Sequence, residues 1–386
     1  ARAIAYASKL VEQNEVPRRP SEIEIDLNLK EGEAVVAEVR ARLEKSARGM
    51  EAPFRCLESV ANTLTMSFRD GWAREAEISE EAVASDESRS LVHSFFAERQ
   101  TSKIPDIPAD IPRRKIEKVA ILGAGTMGGG IAMSFANAGM DVTVIEASQE
   151  NLDKGLARIE GNYDVTRKRG RLTDEEMAAR MACISGSVDM AAVSEADLVI
   201  EAVFEEMEVK KSVFTELDRL AKDGAILATN TSTLDVDAIA AITKRPEDVL
   251  GLHFFSPANV MTLLEVVRAE KTSKDIIATV LDLSKKLGKT GVVVGVCDGF
   301  VGNRMLAPYF RQCDFLVEEG ALPQDVDRVI ETFGFRMGPF RVYDLAGLDI
   351  SWAIEKRRAE TRPAEERFSP LLGRICDLGR YGQKTG

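Results

Sequence analysis

The chain has only two histidines, and one of them, His253, ends the apolar run DVLGLH. A single carboxylate, Glu265, follows twelve residues later inside TLLEVV, among neighbours that belong in a core. Imidazole is the side chain best suited to taking a proton near neutral pH. A carboxylate buried without a partner is costly, so the surroundings of Glu265 imply that it has one. A turn between the two apolar runs brings the pair together, and the acid then fixes the tautomer of the base. Taken singly, His253 also reads as a satisfied imidazole at a strand end, and Glu265 as an edge-strand acid facing water. The pair is the stronger reading. His93 lies in the amphipathic run SRSLVHSFFAERQ and reads as structural. Ser232, in ATNTSTL, and Asn303, in CDGFVGNRM, add two polar groups, although both residue types are also ordinary caps and turn formers.

The elements that must position these groups are short β-branched runs: KVAIL (118–122), VTVIE (142–146), DLVIEAV (197–203), AILATN (225–230) and DVLGLH (248–253). Helical stretches such as TMGGGIAMSFANAGM and EVKKSVFTELDRLA separate them. That alternation predicts an α/β fold with a parallel, Rossmann-type doubly wound sheet over residues 116–296. His253 and Ser232 then fall at the carboxyl edge, where such sheets bind ligands. Residues 149–183 exceed what a simple crossover needs and predict a helical insertion. Before the sheet, residues 1–100 read mostly as helices, as in GEAVVAEVRARLEKSARGM (32–50), with no chemistry of their own. The segment 101–115, TSKIPDIPADIPRRK, carries three prolines and predicts an extended linker. From 297 to 386 the chain turns helical again, a second and smaller domain.

VAILGAGTMGGG sets Gly123, Gly125 and Gly128 in G-x-G-x-x-G spacing between a strand and a helix, the context that gives this pattern meaning. Gly123 suits a tight turn, Gly125 lets a pyrophosphate approach the backbone, and Gly128 lets helix and strand pack closely. The next strand ends at Glu146, whose carboxylate would accept from a ribose 2′-hydroxyl and repel a 2′-phosphate. The following ASQ offers no arginine, so NAD is expected over NADP. A base–acid pair facing a nicotinamide suits hydride removal from a secondary alcohol.

Composition excludes several classes. A net charge of −12 argues against a general nucleic-acid binder. No apolar run is long enough to span a membrane. Five scattered cysteines and two histidines give no metal-ligand spacing; no metal is expected, and the thiols point to a reducing compartment. Against this acidic background TRKRGR (166–171) concentrates four cations. Lys168 and Arg169 could hold an anionic substrate as point charge or fork, or simply solvate a helix end.

The set GAGTMGGGIA, DLVIEAVFEEMEVKK, NTSTLDV, GLHFFSPANVMTLLEVVR, DGFVGNRM, FGFRMGPFRVYDLAGLD and GRYGQKTG, running from 118 to 386, resembles the L-3-hydroxyacyl-CoA dehydrogenase family. It is most similar to the dehydrogenase part of multifunctional fatty-acid β-oxidation enzymes. The resemblance implies NAD-dependent oxidation of (S)-3-hydroxyacyl-CoA to the 3-oxoacyl-CoA, with His253 as general base and Glu265 its partner. It implies that Ser232 touches substrate and nicotinamide and that Asn303 binds the reacting oxygen. Cofactor contacts fall on Met127, Glu146, Val203, Phe204, Glu205, Lys210 and Ser256; the last position is Asn in many members and carries a shorter side chain here. The partners implied are an acyl-CoA substrate, a hydratase/isomerase domain of the same polypeptide and a second copy of the chain. Residues 1–100 resemble the segment following that hydratase/isomerase core, whose catalytic glutamates would precede residue 1. The family's second helical half would follow GQKTG, so a fragment is expected. A bacterial cytoplasm is the first expectation for its location and a peroxisome the second.

Two other readings stay open. A dehydrogenase of free β-hydroxy acids would share the glycine loop but use a lysine on a helix. A non-catalytic NAD-binding scaffold would bind NADH and turn nothing over.

Overall fold

The structure is a computed structural model and describes residues 2–14, 19–22, 28–47, 49–360 and 362–386. The helical reading of 1–100 takes in residues 1, 15–18, 23–27 and 48, and that of 297–386 takes in 361; these lie outside the described residues. The chain forms two compact units, one of residues 1–95 with 316–386 and one of residues 96–315.

The N-terminal region carries helices α1 (Arg2–Glu12), α2 (Leu29–Ser46), α3 (Ala52–Asn62), α4 (Phe68–Ala84) and α5 (Asp86–Gln100). Polar caps set their starts: Asn28 accepts from Glu31 N–H and Ser67 from Asp70 N–H. Glu87, in the first turn of α5, accepts from Glu51 N–H at 2.7 Å and so closes the start of α3. The proline-rich stretch that follows forms neither helix nor strand, yet it is fastened down. Ile104, Ile107 and Ile116 pack on the core of the second unit. Arg114 reaches Asp248 at 2.7 Å and Asp275 at 2.8 Å, while Asp106 holds Arg268 at 3.0 Å.

The strands are β1 (Lys118–Leu122), β2 (Asp141–Ile145), β3 (Ile184–Ser187), β4 (Leu198–Glu201), β5 (Ile226–Thr229), β6 (Val249–Phe254), β7 (Leu263–Arg268) and β8 (Thr290–Gly295). They form one sheet in the order β3-β2-β1-β4-β5-β6-β7-β8, a doubly wound arrangement whose direction of growth reverses between β1 and β4. The sheet departs from the all-parallel expectation at β7, which runs antiparallel to β6. Only residues 255–262 connect those two strands, too few for a parallel crossover. β8 then pairs parallel to β7.

Alternation along the strands feeds two cores. Val119, Ile121, Val144 and Ile200 face α6 (Thr126–Asn137) and α7 (Gln149–Lys168), with Ile131, Phe135 and Ile159 opposite. Ala120, Leu122, Val199 and Leu227 face α9 (Met207–Leu220) and α10 (Val236–Ala240) through Phe214, Leu217 and Ile239. The insertion is helical, as α7 followed by α8 (Asp174–Ala182), which a Thr173/Glu176 capping box starts. α11 (Lys274–Lys286) returns the chain to β8.

The chain continues as α12 (Gly302–Glu318), α13 (Pro323–Phe333), α14 (Pro339–Ala346), α15 (Leu348–Ala359) and α16 (Leu371–Asp377). Buried Asp327 of α13 accepts from Phe340 N–H at 2.9 Å and Arg341 N–H at 3.2 Å, capping α14 from outside its own sequence. Among the described residues no helix is long and apolar enough to cross a membrane.

Candidate active site

All residues of the site lie in the unit of residues 96–315. At the end of β1, Gly123 takes φ +102°, and a Cβ there would stand 2.6 Å from the Ala202 carbonyl oxygen. Gly128 is tighter still, since its Cβ would sit 1.8 Å from the Gly123 carbonyl oxygen. Gly125 caps α6 without a side chain, and nothing in the protein comes within 4 Å of where its Cβ would be. The loop is thus closed on the protein side at Gly123 and Gly128 and open at Gly125, and the start of α6 has no side-chain cap among the described residues, which fits a pyrophosphate. Glu146, just past β2, stands where a ribose acceptor belongs, and its Oε2 accepts from Ala124 N–H of the glycine loop at 2.9 Å. Met127 is only partly buried and packs against the core.

Beside the loop, the carboxyl ends of β4 and β5 carry a charge network. Glu201 is fully buried at the end of β4 and accepts from Val203 N–H at 2.8 Å and Thr229 Oγ1 at 2.7 Å. Lys210 of α9, 1% exposed, lies 2.7 Å from Glu201 Oε1 and 3.3 Å from Glu205 Oε2. Glu205 Oε1 in turn accepts from Thr231 Oγ1 at 2.7 Å and from Ser232 N–H and O–H at 2.8 and 3.1 Å. Burial pushes the Glu205 carboxyl up, but the Lys210 charge and these hydrogen bonds outweigh it and hold it below the ordinary range. Of the expected cofactor contacts here, Phe204 stands 80% exposed, whereas Lys210 is buried between its two carboxylates. Glu201 was missed by the sequence reading; an acid ending the apolar LVIE, nine residues before a lysine, was the available signal.

His253 and Glu265 face each other directly across the β6–β7 hairpin, and His253 Nδ1 lies 2.6 Å from Glu265 Oε2. Both are buried. The other carboxylate oxygen, Oε1, accepts from Val301 N–H at 2.9 Å and Gly302 N–H at 2.7 Å, the first free amides of α12. Burial alone would raise the Glu265 carboxyl; the bond from His253, the two amides and the imidazole's charge more than offset it and leave the group depressed. An ionised carboxylate only accepts, so Nδ1 carries the proton, and in the neutral imidazole it is Nε2 that keeps the lone pair. Nε2 has no hydrogen-bond partner among the described residues. Phe255 and Phe300 flank the imidazole at 4.5 and 5.7 Å between ring centres. Gly302 must be small, because a Cβ there would stand 2.7 Å from the Phe255 ring. Asn303 follows it in the first turn of α12, half-buried.

The connection between the two strands is pinned from below. Lys289, 8% exposed, donates to the carbonyls of Ala258 and Met261 at 2.7 Å each, and Ser134 of α6 also bonds Ala258 at 3.1 Å. Burial pushes the Lys289 ammonium down. Ser256 in the same connection is exposed. The structure therefore assembles His253, Glu265 and the start of α12 in one cluster, Ser232 with Glu205 and Lys210 in a second, and the glycine loop with Glu146 in a third. Lys168 and Arg169 join none of them. Lys168 pairs with Asp164 at 2.6 Å. They stand thirteen and fourteen residues past Gly155, which touches Ala124 of the glycine loop, or about 20 Å along α7.

Comparison with known proteins gives the family. The family model for the 3-hydroxyacyl-CoA dehydrogenase NAD binding domain matches residues 118–297, and that for the C-terminal domain matches 299–386. The chain is 41% identical over 402 residues to the peroxisomal bifunctional enzyme of Cavia porcellus, covering all of this chain and 55% of that protein. The human peroxisomal bifunctional enzyme is 40% identical over 400 residues with the same coverage. The crystal structure of (S)-3-hydroxybutyryl-CoA dehydrogenase PaaH1 from Ralstonia eutropha superposes with a TM-score of 0.66 at 34% identity, over 70% of this chain and 97% of that one. The chain spans about half the length of the curated relatives it matches. With both of its domains matched, the chain belongs to the 3-hydroxyacyl-CoA dehydrogenase family and carries that family's NAD-binding domain.

Proposed function

We propose that this chain oxidises (S)-3-hydroxyacyl-CoA to 3-oxoacyl-CoA, with His253 as the general base. The observation that carries the reading is the 2.6 Å contact between His253 Nδ1 and a Glu265 kept ionised by the start of α12. His253 Nε2 takes the proton of the C3 hydroxyl. The imidazolium that forms is stabilised by Glu265, whose charge needs no rearrangement because three donors already hold it. Positioned acid–base catalysis of this kind supplies a factor of about 10²–10⁴. The Asn303 amide, next to the amides that bind Glu265, donates to the reacting oxygen. Ser232 is held by Glu205 through both its N–H and O–H and lines the oxygen's other side. The glycine-loop amides and Glu146 hold the pyrophosphate and ribose, with Met127, Val203, Phe204 and Ser256 along the cofactor and Lys210 acting through Glu205. NAD, when bound, supplies the acceptor for the C3 hydride.

Lys168 and Arg169 are the cations offered to the CoA phosphates, a reading supported by the concentration of positive charge in TRKRGR against an acidic chain. The relatives' name, peroxisomal bifunctional enzyme, supports a peroxisomal setting and a second activity in the intact protein, which the resemblance assigns to a hydratase/isomerase region. The test is NADH formation by the 386-residue chain from (S)-3-hydroxyacyl-CoAs of graded length and from the matching free acids. Turnover of the thioesters alone is expected; equal turnover of the free acids overturns the substrate class. NADH binding without turnover of either overturns the catalytic reading.

A further inference from the structure

The ladder between β5 and β6 stops at Thr229 and Gly251, short of the base. His253 and Phe254 therefore run on past their neighbour on that side, at the point where the imidazole must be aimed. Phe254 is 1% exposed, and a buried N–H there without an acceptor would be costly. The acceptor is a side chain: Asn230 Oδ1 receives Phe254 N–H at 2.9 Å. Asn230 directly follows β5, and its own N–H donates to Glu201 carbonyl oxygen at 2.8 Å. It is thus bonded to β4 through its main chain and to β6 through its side chain.

The neighbours of Asn230 all turn the other way. Thr229 and Thr231 donate to Glu201 and Glu205, and Ser232 donates to Glu205. Of the four residues in TNTS, only Asn230 uses its side chain to reach the strand that carries the base. Because its partner is a donor, the amide oxygen must face Phe254, which leaves the two amide N–H groups pointing elsewhere. They have no protein partner among the described residues.

We infer that Asn230 is a positioning residue for His253: its amide oxygen replaces the missing ladder and fixes the backbone of residues 253–254, and with it the line from the imidazole to Glu265. The catalytic consequence rests on the dehydrogenase reading above; the geometric one does not.

With only two histidines in the chain, nitrogen-15 NMR of the imidazoles reads His253 directly, and His93→Gln assigns the signals. Asn230→Ala removes the acceptor. Asn230→Asp keeps an oxygen for Phe254 N–H, removes the amide donors and adds a carboxylate charge. In Asn230→Ala the His253 Nδ1–H signal moves or broadens and kcat falls about tenfold to a hundredfold, the scale of a misplaced catalytic group, while the NADH Kd stays near wild type. In Asn230→Asp the signal returns towards its wild-type position and most of the turnover is kept. An unmoved His253 signal with wild-type turnover in Asn230→Ala overturns the assignment. So does equal loss of turnover in both variants with the signal unmoved, since the amide donors would then be the group that matters. If Asn230→Ala does not fold, Asn230→Asp still decides between recovery and loss. Should wild type form no NADH from any hydroxyacyl-CoA, the dehydrogenase reading fails, whereas the imidazole signals still test Asn230.

Discussion

Replacing Glu265 by glutamine tests the base with the least change of shape. The carboxylate accepts from His253 Nδ1, Val301 N–H and Gly302 N–H at 2.6, 2.9 and 2.7 Å. A glutamine has one oxygen and one NH₂ for the same three donors. Turning the NH₂ towards α12 would set it against two N–H groups, so the oxygen stays there and the NH₂ faces His253. Nδ1 must then accept, which moves the ring proton to Nε2 and removes the lone pair that takes the substrate proton. Stability loses one charge-assisted hydrogen bond, about 1.5–3 kcal/mol. Activity loses far more: a base held in the wrong tautomer by such an exchange forfeits about 10⁴ in a comparable triad, so kcat should fall between about 10² and 10⁴. Glu265→Ala should be less stable than Glu265→Gln, because it strands all three donors. Initial rates of NADH formation, NADH binding by fluorescence and thermal unfolding separate these effects. A folded Glu265→Gln that binds NADH and keeps wild-type turnover would refute the tautomer reasoning.

The glycine loop gives a contrasting pair. Gly128→Ala drives a Cβ towards a backbone oxygen 1.8 Å away and should cost about 3 kcal/mol, or roughly 6–12 °C in Tm. Gly125→Ala meets no protein atom within 4 Å, so Tm should hold while NADH binding weakens. Arg169→Ala should raise KM for acyl-CoA about tenfold with kcat nearly unchanged, the worth of one charged hydrogen bond. Lys168→Ala should raise it less, because Asp164 already engages that ammonium; an unchanged KM in both removes the CoA contact. Glu265 and Glu205 are both depressed from 4.5, so their contribution to stability is complete above that pH and is lost as pH falls through the depressed values. Below pH 4.5 the wild type should therefore lose Tm faster than Glu265→Gln, and parallel curves would contradict the assignment.

Much of the site could be read from sequence because its chemistry is written in residue types that stand out from their surroundings. An acid inside TLLEVV and a histidine closing DVLGLH needed each other, and a spacing of twelve fits two residues facing across a hairpin. Apolar content could not say that β7 runs opposite to β6, since it looks alike in parallel and antiparallel strands; only the short connection 255–262 distinguishes them. The clamp on Glu265 was hidden for a different reason. Its donors are backbone amides of Val301 and Gly302, and main-chain groups leave no mark in composition. Glu201 was read as part of a strand because its partners, Thr229 and Lys210, sit on elements that sequence alone does not bring together. Asn230 was overlooked beside Ser232, since an amide at a strand end looks like an ordinary turn residue until its acceptor role towards the next strand is seen.

The most direct test of the whole account is His253→Gln, measured in the 386-residue chain with an (S)-3-hydroxyacyl-CoA and NAD⁺. The account predicts that kcat falls by about 10²–10⁴, while NADH binds as tightly as to the wild type and the fold is kept. A folded variant that turns over like the wild type would mean that the proton leaves by another route and that the His253–Glu265 pair is structural.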